Sequence, residues 1–327
     1  MRTAKWLPVA LGLTILGSAP VAAIGAGETE KKCLFVSSYH QGYEWSDGVE
    51  RGLRAVLEGK CEYRQFDMDT KHRKSTREKE QSALEAKAII ESWKPDVVIT
   101  ADDNAAKYLI EPYYRDHHLP FVFAGVNWTA KEYGFPYSNV TGMIEVAPIV
   151  PMLESAMDIV PKLRRAFYLG ADTLTEQKNM ERFREAADQL GFMLEWALVD
   201  SVEKWLQVYE QAQETDLVIL GSNAGINDWD ADRARAGVLE LTRKLSVTNH
   251  DWMMPFAIIG VTKVAEEQGE WAGKAAIAIL GGIAPSAIPI VPNNRRDIWV
   301  NPKIINAASI TLPVSMMRKA KKVLLLE

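Results

Sequence analysis

The stretch CLFVSSYHQGYEWSDGVERGLRAVL, Cys33 to Leu57, runs from a short apolar segment into a connection carrying Tyr39, His40, Tyr43 and Trp45 before a helical pattern resumes. Connections are ordinarily polar and solvated. Rings in such a place either cover a core or form flat apolar walls that stack on a ring or a cation, while a hydroxyl or imidazole fixes orientation. Ser37, Ser38 and His40 have the types of a nucleophile and its base. No Gly-x-Ser-x-Gly elbow surrounds the serines, however, and no carboxylate is placed by spacing to orient the imidazole. The chemistry this stretch supports is binding.

Other polar residues follow apolar runs in the same way. In VVITADDNAAKYLI, a helix opening at Asp102, Asp103 and Asn104 offers free backbone N–H groups to a carboxylate. One of the two aspartates is expected to cap that helix, leaving the other for a ligand ammonium. AGVNWTAKEYG supplies Asn127 and a further ring, Trp128, and Glu145 follows in TGMIEV, where a buried carboxylate needs a partner. Later runs end at Asp172 and Thr173, at Asp200 and Ser201, and at Ser222, Asn223 and Asn227. Small polar groups at three successive ends could supply oriented hydrogen bonds. His40, His72, His117, His118 and His250 are scattered along the chain, so no metal site is expected. GSNAGIND lacks the lysine and hydroxyl of a phosphate loop, so no nucleotide cofactor is expected either.

The elements that position these residues read as alternating short strands and amphipathic helices, the pattern of βαβ units and parallel sheets. Strands are expected at Leu34–Ser38, Tyr63–Met68, Asp96–Thr100, Phe121–Gly125, Ala166–Gly170, Leu194–Val199, Leu217–Gly221 and Phe256–Gly260. Asp47 and Glu50 suggest a capping box for the first helix, and Ser75 and Glu78 one for the second, which Pro95 stops. Four strand–helix repeats precede NVTGMIEVAPIVPML and about four follow it, which predicts two Rossmann-like α/β lobes. The chain is expected to cross between them three times: at residues 140–151, near 264–269, and along AIPIVPNNRRDIWVN. The expected division is residues 24–143 with about 266–290 in the first lobe, and 144–265 with about 291–327 in the second. Such an arrangement leaves a cleft bordered by the carboxyl ends of both sets of strands, where open α/β sheets bind ligands.

The 327 residues, 47% hydrophobic and 25% charged, are ordinary for a globular protein. A net charge of −5 without a basic stripe argues against nucleic acid or an anionic membrane as partner. Residues 1–23 place Arg2 and Lys5 before an apolar run and end in Val21-Ala22-Ala23, the layout of a cleavable export signal. Export to an oxidising compartment favours pairing Cys33 with Cys61, and they lie within disulfide range if their strands are neighbouring and parallel.

The aromatic loop after the first strand, the crossing strand TGMIEV, the run GEWAGKAAIAILGGIAPSAIPI and the ending VNPKIINAASITLP together resemble the periplasmic substrate-binding proteins of ABC transporters with the type I fold. The likeness covers essentially the whole mature chain and is greatest to the branch whose members bind aromatic amino acids. FYLGAD and LGSNAG depart from that branch, which often has Tyr-Asn and Asp-Asn pairs there. The resemblance implies a monomeric periplasmic protein that closes on a small organic ligand, an amino acid or other aromatic or apolar compound, and delivers it to an ABC permease. On that fold, the residues placed at strand ends and expected to contact the ligand are Ser38, Tyr39, His40, Tyr43, Trp45, Asp102, Asp103, Asn104, Asn127, Trp128, Glu145, Asp172, Asp200 and Asn223. The same fold also serves sensors that dock on a kinase; an exported enzyme is disfavoured by the absence of a nucleophile constellation in the sequence.

Overall fold

The computed structural model describes residues 30–323, so the expected leader lies outside the described residues. The first lobe is built from β1 (Lys32–Ser37), α1 (Glu44–Leu57), β2 (Glu62–Asp67), α2 (Thr76–Trp93) and β3 (Val97–Ala101). A helix follows that begins as α3 (Asp102–Ala105), loosens into a π-helical stretch (Ala106–Ile110) and ends as α4 (Glu111–Tyr113). Then come β4 (Phe121–Asn127) and β5 (Val140–Glu145). The second lobe comprises α5 (Ile149–Ile159), β6 (Arg165–Ala171), α6 (Leu174–Leu190), β7 (Met193–Val199), α7 (Val202–Ala212), β8 (Leu217–Leu220), α8 (Ala231–Leu241), β9 (Leu245–Thr248) and β10 (Ile259–Lys263).

After β10 the chain returns through α9 (Ala265–Leu280) and β11 (Val291–Pro292) of the first sheet. It crosses again to β12 (Arg296–Val300), α10 (Pro302–Ala308), α11 (Val314–Lys319) and β13 (Lys321–Lys322). The sheets run β11-β5-β4-β3-β1-β2 and β13-β12-β10-β9-β8-β6-β7. All pairings are parallel except β10 with β12. Each lobe therefore repeats one doubly wound order, β2-β1-β3-β4-β5 and β7-β6-β8-β9-β10. The strand order reverses between β1 and β3, and again between β6 and β8, and the crevice at such a reversal is the binding place of open α/β sheets.

Burial explains the strands. β1 and β3 are almost wholly buried because helices cover both faces of the sheet, whereas EYRQFD of β2 sits at an edge and is half-exposed. α9 closes on α1 through small residues: a methyl group added at Gly269 would come within 1.9 Å of the Val49 carbonyl oxygen, and one at Gly52 within 2.1 Å of the Glu266 carbonyl. Cys33 and Cys61 are joined as a disulfide, their Cα atoms 5.9 Å apart, because β1 and β2 are adjacent and parallel.

Several local expectations are corrected. α1 begins at Glu44, so Trp45 lies in its first turn rather than in the loop. Asp47 accepts from the Gly42 N–H, and no side chain caps the helix. Neither Asp102 nor Asp103 caps α3. The Ser75–Glu78 capping box is present. The expected strand Phe256–Gly260 is displaced to Ile259–Lys263, and Leu245–Thr248, too short to show alternation, is an additional strand.

Candidate functional site

At the end of β1, Ser38 Oγ donates to the Ala101 carbonyl (2.5 Å) and accepts from the Ala105 N–H (2.9 Å), pinning β1 to β3 at the strand-order reversal. Its hydroxyl is thereby used in structure. The following loop sets Tyr39 and Tyr43 edge to face at 5.1 Å, and Lys71 Nζ lies over both rings at 4.2 and 4.8 Å. Burial, then the charges of Asp102 and Glu145, push both phenols up; the second lobe's Asp251 adds to the effect on Tyr43. Burial pulls the Lys71 ammonium down, opposed by the attraction of Asp102 and Glu145.

Trp45 Nε1 donates to Asp102 Oδ1 at 3.0 Å. Asp102 is 2% exposed, its backbone is held at φ +66°, and its Oδ2 is buried with no hydrogen-bond partner among the described residues. Burial raises its carboxyl well above the usual range, and the negative charges of Glu145 and Asp103 add to the rise. Gly125 lets these groups converge. It occupies the irregularity between β4 and β5 at φ +69°, and a side-chain carbon there would lie 3.1 Å from Asp102 Oδ1 and 3.6 Å from both Glu145 Oε2 and Trp45 Nε1. Its N–H donates to Gln268 Oε1 of α9 at 2.9 Å.

Glu145 ends β5, is almost fully buried and pairs with Lys263, which ends β10 in the other sheet. Burial pushes Glu145 up and Lys263 pulls it back. The Lys263 ammonium also lies 4.9 Å from the centre of the Trp45 ring. Beside this group Asp103 accepts from Asn127 Nδ2 (2.6 Å) and the Tyr133 hydroxyl (2.8 Å), and Asn104 Nδ2 donates to Thr70 Oγ1 (2.8 Å).

On the second lobe, Glu176 is buried on α6, accepting from the Tyr168 hydroxyl and from the Ser222 N–H (3.0 Å). His250 follows β9 with Nε2 3.9 Å from Glu176 Oε1. Burial, then the charge of Lys263, push this imidazole down to about 3. His250 Nε2 and Asn249 Oδ1 are buried without hydrogen-bond partners among the described residues.

The sequence-derived residues thus fall into four groups. Tyr39, Tyr43, Trp45, Asp102, Asp103, Asn127 and Glu145 come together, with Ser38 and Asn104 behind them. Trp128 stands apart: at φ +61° its ring lies 4.0 Å from the Arg182 guanidinium and lines a cavity of about 470 Å³ beside Val146–Pro151 and Asn293–Arg296. Asp172 and Asp200 are exposed, accepting from Gln177 and Lys204 of their own following helices, and Asn223 is half-buried in the loop after β8. His40 meets Asp69 at 3.2 Å, with its ring 6.1 Å from that of Tyr43.

Lys71, Gly125, Lys263, Glu176, Asn249 and His250 were not singled out from sequence. Gly125 ends an expected strand, and Lys263 would have done so had the last strand been placed at Ile259–Lys263.

A family model described as ABC transporter substrate binding protein matches residues 38–324. The chain belongs to the ABC transporter substrate-binding protein family. Among curated proteins none matches it. Solved structures show the type I periplasmic binding protein fold. A ligand-free, open substrate-binding protein with adhesive properties from Clostridium difficile is similar over 89% of this chain and 99% of its own, with TM-score 0.72 and 15% identity. An ABC domain from Streptococcus pneumonia in complex with L-Trp covers 90% of this chain and 100% of its own (TM-score 0.62, 16% identity). A solute-binding protein of an ABC transporter from Rhodopseudomonas palustris BisB5, in complex with 3,4-dihydroxybenzoic acid, covers 78% and 82% (TM-score 0.56, 10% identity). In this substrate-binding protein the convergent residues stand at the β1/β3 reversal, facing the ends of β9 and β10.

Proposed function

We propose that this substrate-binding protein is exported, captures a small compound with a protonated amine and an aromatic or apolar body, an amino acid or close relative, and delivers it to an ABC permease. The observation that carries the reading is Asp102. Its Oδ1 is held by the Trp45 indole, and its buried Oδ2 has no partner among the described residues, so the group is poised to accept from a ligand donor. Burial beside Glu145 and Asp103 pushes the Asp102 carboxyl toward its neutral form, and a ligand ammonium against Oδ2 would favour the carboxylate. Tyr39, Tyr43 and Trp45 supply walls for the body, and Lys71 is placed to meet a ligand carboxylate. No bond is made or broken. The L-Trp complex of a similar fold supports this ligand class.

The test is a thermal-shift screen of amino acids against their N-acetyl derivatives. A saturating rise in melting temperature with a free amino acid and none with its acetylated form supports the reading, because a ligand bound only by the folded state stabilises it. Equal shifts with both forms, or none with any compound, would refute it.

A further inference from the structure

His40 and His72 are 32 positions apart in sequence but meet at one carboxylate. His72 Nδ1 lies 2.7 Å and His40 Nδ1 3.2 Å from the same oxygen, Asp69 Oδ1, and the imidazole rings are 4.5 Å apart. All the donor atoms lie within 4.8 Å of one another. A single oxygen does not serve both rings well: the His40 Nδ1 atom is buried and makes no hydrogen bond of acceptable geometry among the described residues. The scatter of histidines along the sequence is thus misleading, because the strand order brings the loops after β1 and β2 side by side.

The framework behind these three side chains is fixed. The Asp69 N–H donates to the Tyr39 carbonyl (3.1 Å), the Thr70 N–H to the Ser38 carbonyl (2.9 Å), and Asp69 itself is held at φ +54° by the tight turn to His72 and Arg73. Zinc–nitrogen and zinc–carboxylate bonds of roughly 2.0–2.2 Å require donors about 3.3–3.5 Å apart in a tetrahedral set. Small rotations of His72 and Asp69 reach that spacing from the observed distances. Two imidazoles and one carboxylate favour zinc, nickel, copper or cobalt over magnesium or calcium, which prefer all-oxygen shells. With three protein ligands and His72 open to solvent, water would complete the coordination, and the ion would exchange.

We propose that His40, Asp69 and His72 form a divalent transition-metal site at the edge of the first lobe, separate from the Asp102 cluster. The turn that carries Asp69 and His72 also carries Lys71, whose ammonium lies over Tyr39 and Tyr43. Metal binding would therefore fix the turn that presents Lys71 to the cleft.

Zn2+ binding is measured by calorimetry on the untagged mature protein, with Co2+ absorption reporting coordination. The wild type should bind one saturable Zn2+, and His72→Ala and Asp69→Asn should each weaken it at least roughly tenfold. His117→Ala, which alters the other close histidine pair, should leave it unchanged. His72 is exposed, so its variant is expected to fold, as its melting temperature would verify. Absence of saturable Zn2+ binding, retention of wild-type affinity by His72→Ala, loss on His117→Ala, or displacement of Zn2+ by excess Mg2+ would each overturn the proposal.

Discussion

Lys263 at the end of β10 and Glu145 at the end of β5 form an ion pair that joins the two sheets, directly beside the Trp45 ring. Glu145 is 5% exposed, so its charge lies where water has little access, while Lys263 remains partly solvated. Removing one member of a buried pair leaves the other uncompensated, a larger loss than the pair's own net worth.

Lys263→Ala should therefore lower stability by about 2 to 3 kcal/mol, at or below the lower limit of about 3 kcal/mol for fully buried pairs because Lys263 is partly solvated. Adding Glu145→Gln should recover much of the loss. Denaturant unfolding of the single and double variants measures both; a double variant no more stable than Lys263→Ala would show that the pairing is not the source.

Trp45 contributes a ring to the cleft and a hydrogen bond to Asp102. Trp45→Ala should weaken ligand binding by at least about 1 kcal/mol, and Trp45→Phe, which keeps a ring but loses the N–H, should weaken it less. Calorimetric titration ranks the three proteins. An affinity in Trp45→Ala equal to that of the wild type would remove this residue from the site.

Acid sensitivity should have a contribution from His250. The unfolded chain protonates an ordinary histidine near 6.5, whereas burial and Lys263 hold the folded imidazole down to about 3. Between those values the unfolded state binds the extra proton, so stability falls as pH drops from about 6.5, by at most about 1.4 kcal/mol per pH unit. Glu176, pushed up by burial, has the opposite slope above its ordinary value of 4.5. The His250→Asn variant should lose melting temperature less steeply on acidification from pH 6.5 to 4.5. Parallel curves for variant and wild type would show that His250 titrates normally.

The Cys33–Cys61 bond closes a loop with a sequence separation of 28. Loop-closure entropy sets its contribution at about 3 to 4 kcal/mol. Replacing both cysteines with serine should lower stability by that order, and reductant should shift the wild type but not the variant. Insensitivity of the wild type to reductant would indicate that the pair does not stabilise the chain.

Much of the fold was legible because β1, β3 and β8 are continuous apolar runs bounded by turns, and Ser75 with Glu78 marks a helix start by purely local chemistry. The site was legible only in part. Tyr39, Tyr43 and Trp45 announce themselves as rings in an odd place, but their partners are set by sheet order: Trp45 meets Asp102 across 57 positions, and Glu145 meets Lys263 across 118. No local pattern encodes such pairs. The four-residue β9 was missed because LSVT is too short to show a period, and with it went Asn249 and His250. The sequence left open which of Asp102 and Asp103 caps the helix; neither does, and the left-handed backbone of Asp102 turns its side chain to Trp45.

The most direct test is native mass spectrometry of the wild type, Trp45→Ala and Asp102→Asn, each incubated with the same panel of amino acids. The account predicts a one-to-one adduct with the wild type, reduced in Trp45→Ala and lost in Asp102→Asn. Adducts of equal occupancy on all three proteins, or none on any of them, would contradict the assignment of Asp102 and Trp45 to the binding site.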